Sequence, residues 1–409
     1  MNKKNFFWNM IGSILNAFST LVFTIVTTRI SGEEYGGIMG LAIGISFVLT
    51  TIGLFEIRPF QSTDISEEFC FADYLGHRII TCSIMGIVLI IYVNISGFSG
   101  IKAATVVGVG LFKMVDSISD VFQGMFQQRG RLDLAGKALT IRICMSMLGF
   151  IGMLYFSGNL VYSCMLMVAV SVVCIVCFDI RNARQFCVIH PAFSKGKLKR
   201  LTKSCFPLFL ISFISMYLTN AGKFEVDRYC PELQAAWNAL FVLAAVINLF
   251  SIFAFRPLLT ILAEKWQKKE LKIFALITIG LCAWITVVMI AALGAGYLAG
   301  IPLLNFMYGM NLNKYKITFL IILTGGGFSA FATLLYYINT VIRLQKYILK
   351  CDCIVFLTAI FVMPFLVKRY FLNGAALGYL AIMVFRGILL LFILLIKYVK
   401  EYRIETIAN

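Results

Sequence analysis

Histidine is nearly absent from this chain: two residues, His77 and His190, among 409. Neither has a Cys or Ser at a spacing that would make a nucleophile–base pair. The twelve cysteines do not rescue a metal reading. Cys174 and Cys177 form a CxxC, but inside an apolar run and without a second CxxC at zinc-site spacing. Cys351 and Cys353 stand at the end of another run, so cysteine here is expected to serve as a small hydrophobe. GxxxxGK(S/T) is missing, which excludes nucleotide hydrolysis in the P-loop manner. GxSxG is missing too. Gly325, Gly326 and Gly327 fall in mid-run, where a bend or close packing is expected rather than a phosphate cradle. No metal, no cofactor and no catalytic residue are expected.

Charge is scarce as well. Charged residues make up 13% of the chain, about half the share of a soluble domain. What fills the space is apolar: 60% of residues are hydrophobic and the mean hydropathy is +0.91. Apolar runs recur from end to end, many of them roughly 20 residues long, enough to cross a hydrocarbon core of about 30 Å as helices. Twelve spans are predicted, at 6–28, 36–55, 79–95, 103–123, 138–157, 160–178, 205–222, 235–255, 273–297, 317–340, 353–370 and 374–396. Lys3 and Lys4 ahead of the first run resemble a signal peptide, but the run is long and no small-residue cleavage site closes it, so a retained helix is expected. The net charge of +17 is chiefly a topology signal. Most lysines and arginines fall in alternate loops, which predicts both termini on the cytoplasmic side of the cell membrane. No folded basic domain exists to bind nucleic acid.

Two hexapeptides, FEIRPF at Phe55–Phe60 and FAFRPL at Phe253–Leu258, lie nearly half a chain apart. They predict two like halves: an N-terminal six-helix lobe over 1–194, a basic cytoplasmic linker over 195–204 (KGKLKRLTKS), held near anionic headgroups, and a C-terminal six-helix lobe over 205–409. The stretch 204–266 opens the second lobe. Its two apolar runs flank a polar segment read as a hinge, with a turn at Asn220–Lys223. Pro59 and Pro257 are expected to stop the second helix of each lobe.

Ionisable residues inside spans are expensive and point to function. Lys113, Asp116 and Asp120 share one face of the fourth span, at i, i+3 and i+7. They read equally well as the wall of a water-filled path and as a self-neutralising cluster. Arg386, deep in the last span, reads as structural. Asn9, Ser13, Asn16 and Thr20 form a polar stripe on the first span, and Ser212, Ser215, Thr219 and Asn220 form one on the seventh. Such stripes serve helix–helix hydrogen bonds below about 2 kcal/mol each or line a hydrated cavity; the cavity is favoured because both halves open this way. Arg29 and Lys223 close the two helices. There they suit either a phosphate-bearing substrate or snorkelling anchors.

Three motifs carry a family resemblance: Asn9 and Asn16 in the first span; Arg58, Phe60, Gln61, Thr63 and Asp64 in the loop after the second; and Tyr217, Asn220, Ala221 and Lys223 in the seventh. Together they resemble the Wzx-like oligosaccharide flippases of the multidrug/oligosaccharidyl-lipid/polysaccharide (MOP) exporter superfamily. Gly222 stands where that family usually has Pro. The resemblance implies an all-α polytopic membrane protein, two six-helix lobes related by a pseudo-twofold axis, and a central cavity. It implies a transporter, not an enzyme, that flips a polyprenyl-diphosphate-linked oligosaccharide from inner to outer leaflet by alternating access for surface polysaccharide assembly. The partners implied are that lipid-linked oligosaccharide, membrane lipids and glycan-assembly proteins, with the carrier itself a monomer. Asn9, Asn16, Arg29, Lys113, Asp116, Asp120, Asn220 and Lys223 are then the cavity residues, and Arg58, Asp64 and Arg256 the inner gate. Alternatives are a drug/cation antiporter of the same superfamily and a membrane polysaccharide polymerase. The short outer loops speak against the polymerase. The loop after the second span lacks the GxxxD(R/K)xG(R/K) pattern of the major facilitators.

Overall fold

The computed structural model describes residues 3–64, 68–255 and 258–408. Among them the chain is helical with no strand, as a hydrocarbon solvent demands of a backbone that must satisfy its own hydrogen bonds. Each of the twelve apolar runs lies on a helix. Nine helices among the described residues are long and apolar enough to cross a membrane. Their flanks carry exposed Ile87, Ile90, Phe361, Phe365 and Phe392, side chains that water would not leave uncovered at this density. The fold is that of an all-α, multi-pass membrane protein.

Two compact units divide the chain, Met1–Met216 and Tyr217–Asn409. The first contains α1 (Lys3–Ser31), α2 (Glu33–Leu54), α3 (Ile57–Thr63), α4 (Phe71–Ile95), α5 (Gly100–Gln128), α6 (Leu132–Ser157), α7 (Leu160–Cys174) and α8 (Arg181–Ala183). A π-helical turn, Ile175–Ile180, joins α7 to α8. The boundary between units falls inside α9 (Lys195–Tyr229). In the first unit α1 packs closely on α6. A Cβ at Gly12 would stand 3.0 Å from the Gly136 carbonyl oxygen, and one at Gly136 would strike the backbone of Trp8 and Asn9. α5 lies between α2, α4 and α7.

The corner between α2 and α3 departs from expectation. Pro59 does not stop α2; it sits in the first turn of α3, where its missing N–H costs nothing. The chain turns because Phe55 and Glu56 both adopt left-handed backbone, at φ 48° and 52°, a conformation that costs roughly 1–2 kcal/mol for each non-glycine residue. Side chains of α9 hold the corner. Phe55 stacks on Phe209 with ring centres 4.5 Å apart, and Glu56 accepts from Ser212 Oγ at 2.7 Å.

The basic 195–204 segment is likewise wound into α9. Leu201 is fully buried there and Lys197 pairs with Asp73 at 2.7 Å. Nor does α9 turn at Asn220–Lys223: it runs as one helix to Tyr229. Gly222 permits close packing instead of a bend, since a Cβ there would meet the Trp237 ring at 2.5 Å. Of the second hexapeptide, Arg256 and Pro257 lie outside the described residues.

The second unit continues with α10 (Gln234–Phe255), α11 (Leu259–Gln267), α12 (Leu271–Ala295), α13 (Ile301–Tyr308), α14 (Lys316–Val341) and α15 (Gln345–Ala408). α15 is two helices joined at Phe371, whose φ of 50° is not helical. α14 is the centre of the unit. Its three successive glycines point about 100° apart and each admits a different neighbour. Gly325 meets Tyr379 of α15, Gly326 meets Ala244 of α10, and Gly327 meets Met289 of α12. Close packing, not a bend, is their use.

Candidate functional site

In the first unit the polar face of α5 meets basic residues from three other helices. Asp116 accepts from Lys113 Nζ at 2.7 Å and from Arg142 Nη1 of α6. Arg142 also reaches Ser171 Oγ of α7 at 3.3 Å. The Lys113 ammonium lies over the Phe112 and Phe47 rings, 5.3 and 5.5 Å from their centres, where ring quadrupoles favour a cation.

One turn further, Asp120 is shared in the same way. Arg58 of α3 donates Nη1 to Asp120 Oδ1 at 3.1 Å, and Arg78 of α4 donates Nη2 to Oδ2 at 2.9 Å. Arg58 also bonds Gln123 Oε1 at 3.0 Å and Gln127 Oε1 at 3.3 Å. Arg78 is wholly buried. Its Nη1 donates to the Gly53 carbonyl at 2.6 Å, an acceptor left over at the end of α2 because the last turn of a helix has no partner for it.

Each carboxylate thus holds two cations, and each group carries one surplus positive charge. A second carboxylate lies within electrostatic range of each. Glu56 faces Arg78 and Asp120, and Asp179, in the π-helical turn, faces Arg142. Burying charges at this density is costly unless every member is paired, and the groups are built accordingly.

The remaining first-unit candidates sit apart from this ladder. Asp64 caps the chain beyond α3, accepting from the Glu68 and Phe69 amides at 3.0 and 3.1 Å and from Tyr74 Oη at 2.8 Å. Gln61 reaches the Val121 carbonyl at 3.2 Å. The loop motif therefore ties α3 to α5 and α4. On α1, Asn9 is half-buried and its backbone is pressed by α6; Asn16 Oδ1 is enclosed without a partner; Arg29 is exposed in the last turn.

In the second unit Asn220 is buried in α9, and Lys223 is half-buried one turn later, its ammonium 6.0 Å from the Phe241 ring centre. No carboxylate among the described residues pairs with Lys223. Glu225, two residues on, has one enclosed oxygen without a donor. Elsewhere Arg386 forms a two-pronged bond with Asp352, at 2.8 and 2.9 Å, with both side chains buried.

Five residues that matter here were invisible as sites in the sequence. Arg78 and Arg142 look like topology cations. Glu56, Asp179 and Asp352 stand at the edges of apolar runs. The available signal was their number: each edge acid has a basic residue in a neighbouring span that needs a counter-ion.

No family model matches the chain, and no curated protein matches it. Solved structures do. An inward-facing multidrug resistance MATE family transporter of the MOP superfamily aligns with a TM-score of 0.73 at 11% identity, over 98% of this chain and all of that one. An outward-facing one aligns at 0.63 and 13%, over 98% and 96%. A MOP superfamily transporter from Pyrococcus furiosus, described as having a binding pocket of reverse polarity, aligns at 0.59 and 12%, over 98% and 95%. At these identities the likeness is one of architecture, and it spans the chain from end to end: this protein has the fold of the MATE transporters of the MOP superfamily.

Proposed function

We propose that this chain is a membrane exporter working by alternating access, and that its cargo is an amphiphile with an anionic head, the polyprenyl-diphosphate-linked oligosaccharide being the candidate. The transport reading draws on the fold, whose solved neighbours are described in both inward- and outward-facing states. The choice of cargo rests on one observation: Lys223, half-buried on α9, has no carboxylate partner among the described residues. A site arranged this way favours a phosphate oxygen over a drug cation. In this reading Lys223 attracts the diphosphate, Asn220 beside it meets sugar hydroxyls, and the head group crosses from the inner to the outer leaflet while the lipid tail stays in the bilayer.

The second reading is a drug/cation antiporter. Two of the three named structural neighbours favour it over the first, since they are multidrug resistance MATE transporters, and none of the three is called a flippase. Within the chain, the enclosed donor-free oxygen of Glu225 is the group that would hold a cationic drug.

Parallel assays separate the two. Lys223→Ala is expected to lower surface-glycan assembly in a complementation strain by about tenfold or more, the loss of one charge-assisted contact worth at least about 1.4 kcal/mol. Cationic-dye efflux from the same cells should be unaffected by Glu225→Gln. Wild-type glycan export in Lys223→Ala at normal protein abundance, together with a dye efflux that Glu225→Gln abolishes, would reverse the order.

A further inference from the structure

The outer face of the first unit carries a furrow between α4 and α5. Its volume is about 580 Å³, and it is lined by Ile79, Ser83, Gly86 and Ile90 of α4 and by Met114 and Ile118 of α5. That size falls within the roughly 300–1,000 Å³ of small-molecule sites. Gly86 forms the floor. A Cβ there would meet only Met114 Sδ, at 3.8 Å, so this glycine leaves space open and does not serve helix contact. Ile87, Ile90 and Ile91 on the rim stand 50–60% exposed. From Ile79 to Ile91 the helix rises about 18 Å, little more than one leaflet of a hydrocarbon core of roughly 30 Å. One end of the furrow is closed by the chain that leaves α8. Ala192 N donates to the Ala72 carbonyl of α4 at 2.8 Å, and the Ala192 carbonyl oxygen lies where Gly76 would carry a Cβ. Cys187 Sγ reaches Met125 Sδ of α5 at 3.5 Å. Ala72, Gly76 and Ile79 follow one another on one face of α4, and Ile118 and Met125 on one face of α5, so residues 187–192 bridge both walls just beyond the furrow. The surrounding chain is basic: Arg181 to Lys203 contains seven lysines and arginines and no acid. Lys197 is held by Asp73 and Arg200 by Glu68. Arg184 and Lys195 are exposed, and Arg129, at the end of α5, lies within electrostatic range of the Cys187 thiol. Among these cations the apolar Val188 and Phe193 are 79% and 54% exposed. Water is a poor solvent for that mixture, and the headgroup–acyl boundary of a bilayer suits both parts of it.

We propose that this furrow is a binding site for one anionic glycerophospholipid. Its phosphate lies against the basic segment that carries Arg184 and Lys195, and one acyl chain runs along Ser83 and Gly86 between the isoleucines. The lining selects a hydrocarbon chain, since its one hydroxyl, Ser83 Oγ, is already spent on the Ile79 carbonyl at 2.9 Å. The length selects a chain rooted in a single leaflet. The charge selects the head group: cations gathered beside a gap between spanning helices favour an anionic lipid over a neutral one. A lipid seated there braces residues 187–192 against both helices and so steadies the chain that leads into α9. The site lies wholly within the first unit, away from Lys223, and it stands whether or not the cargo is a lipid-linked sugar.

The test titrates purified, delipidated full-length protein in detergent with palmitoyl-oleoyl phosphatidylglycerol, and separately with phosphatidylcholine of the same chains, counting bound lipid by native mass spectrometry. The first phosphatidylglycerol should bind about tenfold or more tightly than phosphatidylcholine, the effect of two cations near one phosphate. Gly86→Leu fills the furrow from its floor and should weaken that first phosphatidylglycerol by about tenfold or more. Ser83→Leu should do the same and replaces it should Gly86→Leu not fold. Arg184→Gln combined with Lys195→Gln should bring phosphatidylglycerol down to the level of phosphatidylcholine and leave phosphatidylcholine unchanged. Equal affinity for the two lipids in wild type would overturn the proposal, as would unchanged phosphatidylglycerol binding in the filled variants. Undecaprenyl phosphate that displaces phosphatidylglycerol from the wild type, and loses its own binding in Gly86→Leu, would also overturn it, by giving the furrow to a polyprenyl tail.

Discussion

The buried pair of the second unit offers the sharpest test of how charge is handled inside this protein. Asp352 and Arg386 bond at 2.8 and 2.9 Å, and the side chains are 0% and 6% exposed. Two opposite penalties operate. Desolvation makes the pair as a whole a poor source of stability, while removal of one partner strands the other as a bare interior charge. Asp352→Leu or Arg386→Met alone should therefore cost about 3–5 kcal/mol, which for a unit of this size lowers the thermal midpoint by roughly 6–20 °C. Asp352→Leu combined with Arg386→Met should cost far less than the sum and fall near wild type. The assay is a thermal ramp on detergent-purified protein read by size-exclusion fluorescence, run as a double-mutant cycle. Two results would refute the reasoning. Singles that cost under about 1 kcal/mol would mean the pair is hydrated, as an exposed ion pair is. A double mutant as damaged as the sum of the singles would mean that each residue serves a separate partner.

Two further perturbations follow from the same packing. Gly326→Ala places a Cβ 2.9–3.1 Å from Ala244 atoms, including its backbone, and should destabilise the second unit by about 1–3 kcal/mol. Gly280→Ala, on α12 with nothing within 4 Å of the new atom, should be neutral or gain about 0.5–1 kcal/mol; equal effects at both sites in the thermal ramp would contradict the close approach of α10. Asp120→Asn should release Arg58 and Arg78 together, cost at least about 3 kcal/mol in the same ramp, and be partly relieved by adding Arg58→Gln, which removes one of the two stranded cations. No relief from the second change would show that Arg58 is held by Gln123 and Gln127 alone.

Helices were legible from hydropathy because a span announces itself through about 20 successive residues. The face shared by Lys113, Asp116 and Asp120 was legible for a similar reason: it follows from spacing on one element. Their partners were not. Arg58, Arg78 and Arg142 come from three other helices, and nothing local says that Arg142, ten residues into α6, points inward to Asp116 and not outward as a topology cation. Asp352 and Arg386 were not paired for the same reason: the acid stands on α15 just ahead of the apolar run at 353–370, 34 residues from the arginine it holds. The polar segment after Ser215 misled in the opposite direction. Polarity was read as a break in the helix, whereas α9 continues through it, with Gly222 slotted against Trp237 and Asn220 buried. Pro59 misled by its usual role, and two left-handed residues with no glycine among them did the turning.

That left-handed corner carries a consequence for building chimaeric transporters. Phe55 and Glu56 hold a conformation their own segment does not favour, and what secures it is Phe209 and Ser212, residues placed well past the midpoint suggested by the basic 195–204 segment. A hybrid that takes residues 1–194 from this chain and the rest from a distant relative would inherit the bent backbone without its clamp. Joined after Met216, where the first compact unit ends, the same hybrid would carry both, so the splice point and not the sequence distance between parents should decide which recombinants reach the membrane folded.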